Sequence, residues 1–245
     1  MGGAINTNTT LGSSNFDGAI QSVVKVNASA GFSITTYTGT GSSTTVGHGL
    51  GVKPDVIIIK RRDAVDNWMV YHNQANEGVD PEDYYAELNS TSADVNSTIM
   101  LNDTAPTSTV VTIGSDNSVN GSSATYVMYC FSEVAGDSKF GSYKGNGSSD
   151  GTYVFTGFRP AWIMYKRNSP SGESWQIKDS KRLGFNDQNH TIFANNSNTE
   201  YTTAAVDILS NGFKPRVGDG GTNGSGDYHI YFAFAELPFK NSRAR

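Results

Sequence analysis

Charge is scarce in this sequence of 245 residues: Asp, Glu, Lys and Arg supply 17% of it, against roughly 25% in an average soluble domain. The 18 basic residues are outnumbered by 23 acidic ones, so the concentrated basic face that duplex nucleic acid requires is missing and a nucleic-acid role is excluded. The lone cysteine, Cys130, can form no internal disulfide, and durability must come from packing or assembly. No apolar run reaches the roughly 18 residues of a membrane helix, and Met1-Gly2-Gly3 opens no signal-peptide pattern. No membrane insertion is expected.

What fills the space is small, polar and turn-forming. The 28 Ser, 23 Thr, 22 Asn and 27 Gly make up about two residues in five. They leave few Leu, Glu, Lys and Ala to build helices. The 12 Phe, 12 Tyr and 3 Trp nevertheless argue for an ordered chain, because disordered segments lack aromatics.

The sequence repeats itself. Tyr37-Thr38-Gly39-Thr40-Gly41-Ser42-Ser43 matches Tyr143-Lys144-Gly145-Asn146-Gly147-Ser148-Ser149, and the same offset pairs Gly51 with Gly157, Pro54 with Pro160, and Lys60-Arg61 with Lys166-Arg167. The ends correspond as well: Asn120-Gly121-Ser122 with Asn223-Gly224-Ser225, and Phe131-Ser132-Glu133 with Phe234-Ala235-Glu236. A period this long means tandem domains, since solenoid repeats run about 20–50 residues. The expected organisation is an N-terminal arm or linker over 1–30 that pairs as one strand, a first unit over 31–136 and a second over 137–245.

Each unit reads as short strands between turns. Phe32, Ile34 and Thr36 alternate with Ser33, Thr35 and Tyr37, the period-2 signature of a strand with one face buried. Val56-Ile57-Ile58-Ile59 is a continuous apolar run that suits a strand buried on both faces or one at a dimerising surface. Trp68 to Tyr71, Tyr84 to Leu88, Thr109 to Ile113 and Tyr126 to Phe131 add further strands. The second unit repeats the series with Trp162 to Lys166, Trp175 to Lys178, His190 to Ala194, Val206 to Leu209 and Tyr228 to Phe234. The fold class is all-β: two tandem, homologous, jelly-roll-like β-sandwiches with an N-terminal arm.

No motif in the chain compels catalysis. His48, His72, His190 and His229 are too far apart for zinc spacing, and no metal or cofactor is expected. Gly147-Ser148-Ser149-Asp150-Gly151 satisfies the nucleophile-elbow pattern, but Thr152-Tyr153-Val154-Phe155 continues it as a strand rather than a helix, so it reads as a hairpin turn. The oxygen-rich loops Asp116 to Gly121 and Gly218 to Asp227 offer too few carboxylates for calcium. Trp68 and Trp175, each following a polar turn, are core plugs or aromatic platforms for sugar stacking. With Asp63 and Asp219 they are the candidate surface-contact residues.

Gly31 to Gly39, Val46 to Pro54, Tyr126 to Glu133, Phe140 to Tyr143 and Thr156 to Ala161 together resemble a duplicated β domain of virion proteins from tailed bacteriophages, especially marine ones. The likeness covers about residues 15–245. It implies a C-terminal module of a tail-fibre or appendage protein located in the virion, with other virion proteins and a host-surface glycan as expected partners. It also implies a homo-oligomer, with a trimer favoured, and carries over no catalytic residue. No fibre domain precedes the duplication here, so an excised part or a short stand-alone virion protein is expected. Three functions compete: a non-enzymatic host-contacting appendage, a capsid decoration or head-fibre protein, and a polysaccharide-degrading enzyme using Glu133, Glu236, Asp63 and Asp219.

Overall fold

A computed structural model describes residues 12–183 and 186–237. The structure is 42% strand and 6% helix, with several antiparallel sheets. The described residues divide into two compact units, one formed by the segments up to Glu87 and from Val95 to Glu133, the other by Leu88–Asp94 and the segments from Val134 on.

In the first unit the strands are β1 (Ser13–Asn15), β2 (Ser22–Asn27), β3 (Phe32–Thr38), β4 (Thr44–Gly47), β5 (Val56–Arg61), β6 (Trp68–His72), β7 (Tyr84–Glu87), β8 (Val95–Asn96), β9 (Val110–Ile113) and β10 (Thr125–Phe131). One sheet runs β1-β2-β3-β10-β5-β6-β7-β8, and a second pairs β4 with β9. Between them lie Tyr37, Ile57, Ile59, Met69, Tyr71, Tyr126 and Met128 from the first sheet and Val46, Val111 and Ile113 from the second. Two sheets sharing one apolar layer form a sandwich.

The second unit contains β11 (Ser138–Lys144), β12 (Val154–Phe155), β13 (Pro160–Ser169), β14 (Gln176–Asp179), β15 (Ile192–Phe193), β16 (Val206–Leu209), β17 (Gly212–Pro215) and β18 (Tyr228–Ala235). Its sheets are β11-β18-β13-β14-β15 and β12-β17-β16. Tyr143, Ile163, Tyr165 and Tyr231 meet Val154, Val206 and Phe213 between them. The order β11-β18-β13-β14 repeats β3-β10-β5-β6.

The duplication extends to single hydrogen bonds. Buried Asn120 accepts from Thr40 N at 2.8 Å and donates from Nδ2 to the Ser42 carbonyl at 2.7 Å. Its counterpart Asn223 accepts from Asn146 N at 3.1 Å and donates to the Ser148 carbonyl at 2.8 Å. The Gly-rich stretches bound this way run from one sheet to the other, β3 to β4 and β11 to β12, so the Gly147–Gly151 segment is a crossover between sheets rather than a hairpin turn. Glycine is required within them: a Cβ on Gly39 or Gly145 would lie 2.4 or 2.2 Å from the carbonyl oxygen of Gly121 or Gly224.

Two further sequence expectations change. Residues 13–15 and 22–27 are two strands at the edge of the first sheet rather than a one-strand arm, because Ser22, Val24 and Val26 alternate inward and complete the apolar layer beside β3. Residues 1–11 lie outside the described residues. Residues 88–94 belong to the second unit, where Asp94 N donates to the Asn168 carbonyl at 3.2 Å and Asn168 Nδ2 donates to Asp94 Oδ2 at 2.6 Å. The apolar run Val56 to Ile59 is an interior strand, paired with β10 on one side and β6 on the other.

Candidate functional site

Superposing the two units in sequence shows where they diverge. The pairs Ile59 with Met69 and Tyr165 with Gln176 occupy matching positions in their sheets. Thus Gln176 replaces Met69, Lys178 replaces Tyr71, Thr222 replaces Val119 and His229 replaces Tyr126. The second unit has exchanged apolar or phenolic core groups for buried polar ones. Unexplained polarity in a core is costly and draws attention to the surface above it.

Gln176, Lys178 and Thr222 find partners in the core, whereas both ring nitrogens of His229 are buried without a hydrogen-bond partner among the described residues. Gln176 is 5% exposed, and its Oε1 accepts from the Tyr165 hydroxyl at 3.1 Å and the Thr222 hydroxyl at 3.4 Å. Lys178 is fully buried, and its ammonium donates to the Asn189 carbonyl at 3.2 Å, to Thr191 Oγ1 and to the Ala204 carbonyl. Burial with no carboxylate in ion-pair range among the described residues pushes its pKa down to about 7. His229 stacks flat on Tyr143, with centroids 4.7 Å apart and planes at 6°, and burial pushes its pKa down to about 4. The matching pair in the first unit is Tyr37 on Tyr126, at 5.1 Å and 17°.

Of these groups, Gln176 lines a cleft of about 580 Å³, within the range of small-ligand sites. Glu173, Gln176, Phe193, Glu200, Tyr201 and Asp219 line it, and Gly220 and Gly221 form part of its wall. Tyr201 is 50% exposed and leans on Phe193 at 6.3 Å, presenting an aromatic rim. The carboxylates are held differently. Glu200 accepts from Arg182 Nη1 and lies 2.9 Å from His190 Nδ1, and these partners pull its pKa down. Arg167 Nη2 lies 3.8 Å from Glu173 Oε1, while Asp219 Oδ1 caps the turn by accepting from Thr222 N at 2.8 Å.

The Gly220-Gly221 turn lets the loop pack closely against residues that line the cleft. A Cβ on Gly221 would sit 2.5 Å from Gln176 Nε2 and 2.7 Å from Glu173 Oε2, and one on Gly220 would sit 2.6 Å from Arg167 Nη1. The first unit carries Asn117 and Ser118 here, in the short helix α1 (Asn117–Asn120), which Asp116 caps by accepting from Ser118 N at 2.8 Å.

Of the sequence candidates, only Asp219 lines the cleft. Trp175 is fully buried and packs edge-on against Phe232 at 6.0 Å, so it is a core plug and offers no stacking face. Trp68 is half-buried at the start of β6, beside Lys60. Asp63 is tied to Arg61 Nε at 2.8 Å and accepts from Thr125 N at 3.1 Å, and the guanidinium lowers its pKa. It fastens a loop of the first unit and has no part in the cleft. Glu236 is engaged by Arg159 at 3.0 Å and Lys181 at 3.3 Å. No group of three or more His, Cys, Asp and Glu placed to hold a metal occurs among the described residues.

No curated protein and no solved structure matches the chain. A family model, a domain of unknown function designated DUF7483, matches residues 6–238, spanning both units. The chain belongs to that family, and the duplication lies inside the family's domain.

Proposed function

We propose that the protein is a non-enzymatic virion component of a tailed bacteriophage, part of a tail fibre or other appendage, and that its second unit contacts glycan on the host surface. The observation that carries the glycan reading is the cleft: an exposed aromatic rim, Tyr201 on Phe193, shares it with the carboxylates of Glu173, Glu200 and Asp219 and the amide of Gln176. Sugars present hydroxyls at their edges and C–H surface on their faces, which such a mixture of groups matches. The carboxylates serve as acceptors and loop fasteners here rather than as an acid and base pair. Placement in a virion is supported by the sequence resemblance, and assembly as a trimer belongs to the same reading.

Binding of the purified chain to host cells, and its position in a reconstruction of the assembled particle, test the two halves separately. Saturable binding reduced by Tyr201→Ala supports glycan contact, and density at the tail supports the appendage. Absence of saturable binding removes the first, and density on the capsid shell removes the second. Release of reducing ends from a bound polysaccharide would contradict the non-enzymatic assignment.

A further inference from the structure

Resting on the glycan reading, we infer that the cleft of the second unit selects a neutral sugar by a pair of hydroxyls on adjacent ring carbons, held between Gln176 Nε2 and Glu173 Oε2. Gln176 is 95% withdrawn from solvent, and two hydroxyl donors fix its Oε1. The amide is thereby oriented with Nε2 toward the cleft, where no protein acceptor meets it among the described residues. Nε2 is not sealed from solvent without a partner, so it reaches the cleft, where water or a ligand completes it.

Glu173 supplies the complement. Its Oε1 faces Arg167, leaving Oε2 at the cleft beside Gln176 Nε2, both crowding the place where a side chain on Gly221 would begin. Donor and acceptor therefore stand side by side against the Gly221 wall of the cleft. A vicinal diol fits: one oxygen accepts from the amide while its neighbour's hydroxyl donates to the carboxylate. Tyr201, half-exposed at the rim, is available to the C–H face of the same ring. Glu173, Glu200 and Asp219 all line the site, so a uronic or sialic acid would bring like charge against them and be rejected. At the matching positions the first unit carries Met69, which cannot donate, and Ser118 in place of Gly221.

The test uses the whole chain, the variants Gln176→Met and Gly221→Ser, which install the first unit's residues, and four probes: dextran, mannan, galactan and alginate. Melting curves confirm that each variant folds. The expected result is saturable binding to at least one neutral polymer and at least about tenfold weaker binding by both variants, the loss of one or two hydrogen bonds. Binding to alginate is expected to be weaker by a similar factor. Cleaving the diols of the bound polymer with periodate, followed by borohydride reduction, is expected to abolish binding. Unchanged affinity in both variants, undiminished binding of the oxidised polymer, or preference for alginate overturns the diol inference while leaving glycan contact in place. Failure of all four polymers to bind overturns the glycan reading itself.

Discussion

Tyr143 donates its hydroxyl hydrogen bond to the carbonyl of Thr222 at 2.7 Å, linking β11 to the loop that walls the cleft. Tyr37 makes the same bond to Val119 at 2.6 Å in the first unit. One phenol therefore fixes the same loop in both copies, although one loop is a helical turn carrying side chains and the other a glycine turn bordering a cleft. The duplicated framework holds the loop while its residues diverge.

Tyr37→Phe and Tyr143→Phe should each destabilise by about 1–2 kcal/mol, because each leaves a buried carbonyl without its donor while preserving ring volume. Chemical denaturation measures this. If the account is right, the two losses are similar; a neutral Tyr143→Phe would show that the loop is held by other contacts.

Asn120→Ala and Asn223→Ala should cost more, about 2–4 kcal/mol each, since each removes several hydrogen bonds inside a closed site and strands their partners. Asn120 also donates to the Gly114 carbonyl at 2.8 Å, and Asn223 to Asn146 Oδ1 at 2.8 Å. Comparison with the tyrosine variants in the same denaturant series checks the ranking.

Lys178 gives stability a pH dependence of definite sign. Its folded pKa of about 7 lies below the ordinary lysine value of 10.5, so between those pH values the unfolded chain binds more protons and stability rises with pH. Buried Lys166, at about 8, acts in the same direction. Melting temperature should rise from pH 7 to 9.5, below the range where buried tyrosines oppose it. Lys178→Met should flatten the rise, and an equal slope in parent and variant would contradict the assignment.

His229 acts on the acid side. With a folded pKa of about 4 against 6.5, it takes up its proton in the unfolded chain first, so stability falls as pH drops from 6.5 towards 4. His229→Tyr, which restores the first unit's residue, should lose less stability over that window than the parent. Melts at pH 6.5 and 4.5 report the difference.

The framework was legible where local chemistry and tertiary role agree. The alternation from Phe32 to Tyr37 and the apolar run Val56 to Ile59 are strands because their side chains alone dictate which faces are buried. β17 was hidden, since Gly212-Phe213-Lys214-Pro215 holds two residues that weaken strands and pairs only because the turn from β16 delivers it. Residues 1–30 read as an arm with one strand because the alternation from Ile20 to Val26 is its only strand signal, while Ser13-Ser14-Asn15 has no apolar residue to mark the second. The cleft escaped because Glu173 and Tyr201 are distant in sequence and meet only through the pairing of β14 with β15. Its trace was still present in the repeat: Gly220-Gly221 stands against Asn117-Ser118, and Gln176 against Met69. Differences between the copies carry the site, whereas their identities carry the fold.

The most direct test of the central claim is a map of backbone amide shifts while the chain is titrated with host-surface polysaccharide. The account predicts saturable changes at residues 172–176, 198–204 and 219–221, with the equivalent first-unit loop at 116–120 unmoved. Saturable changes confined to the first unit, or none anywhere, would contradict it.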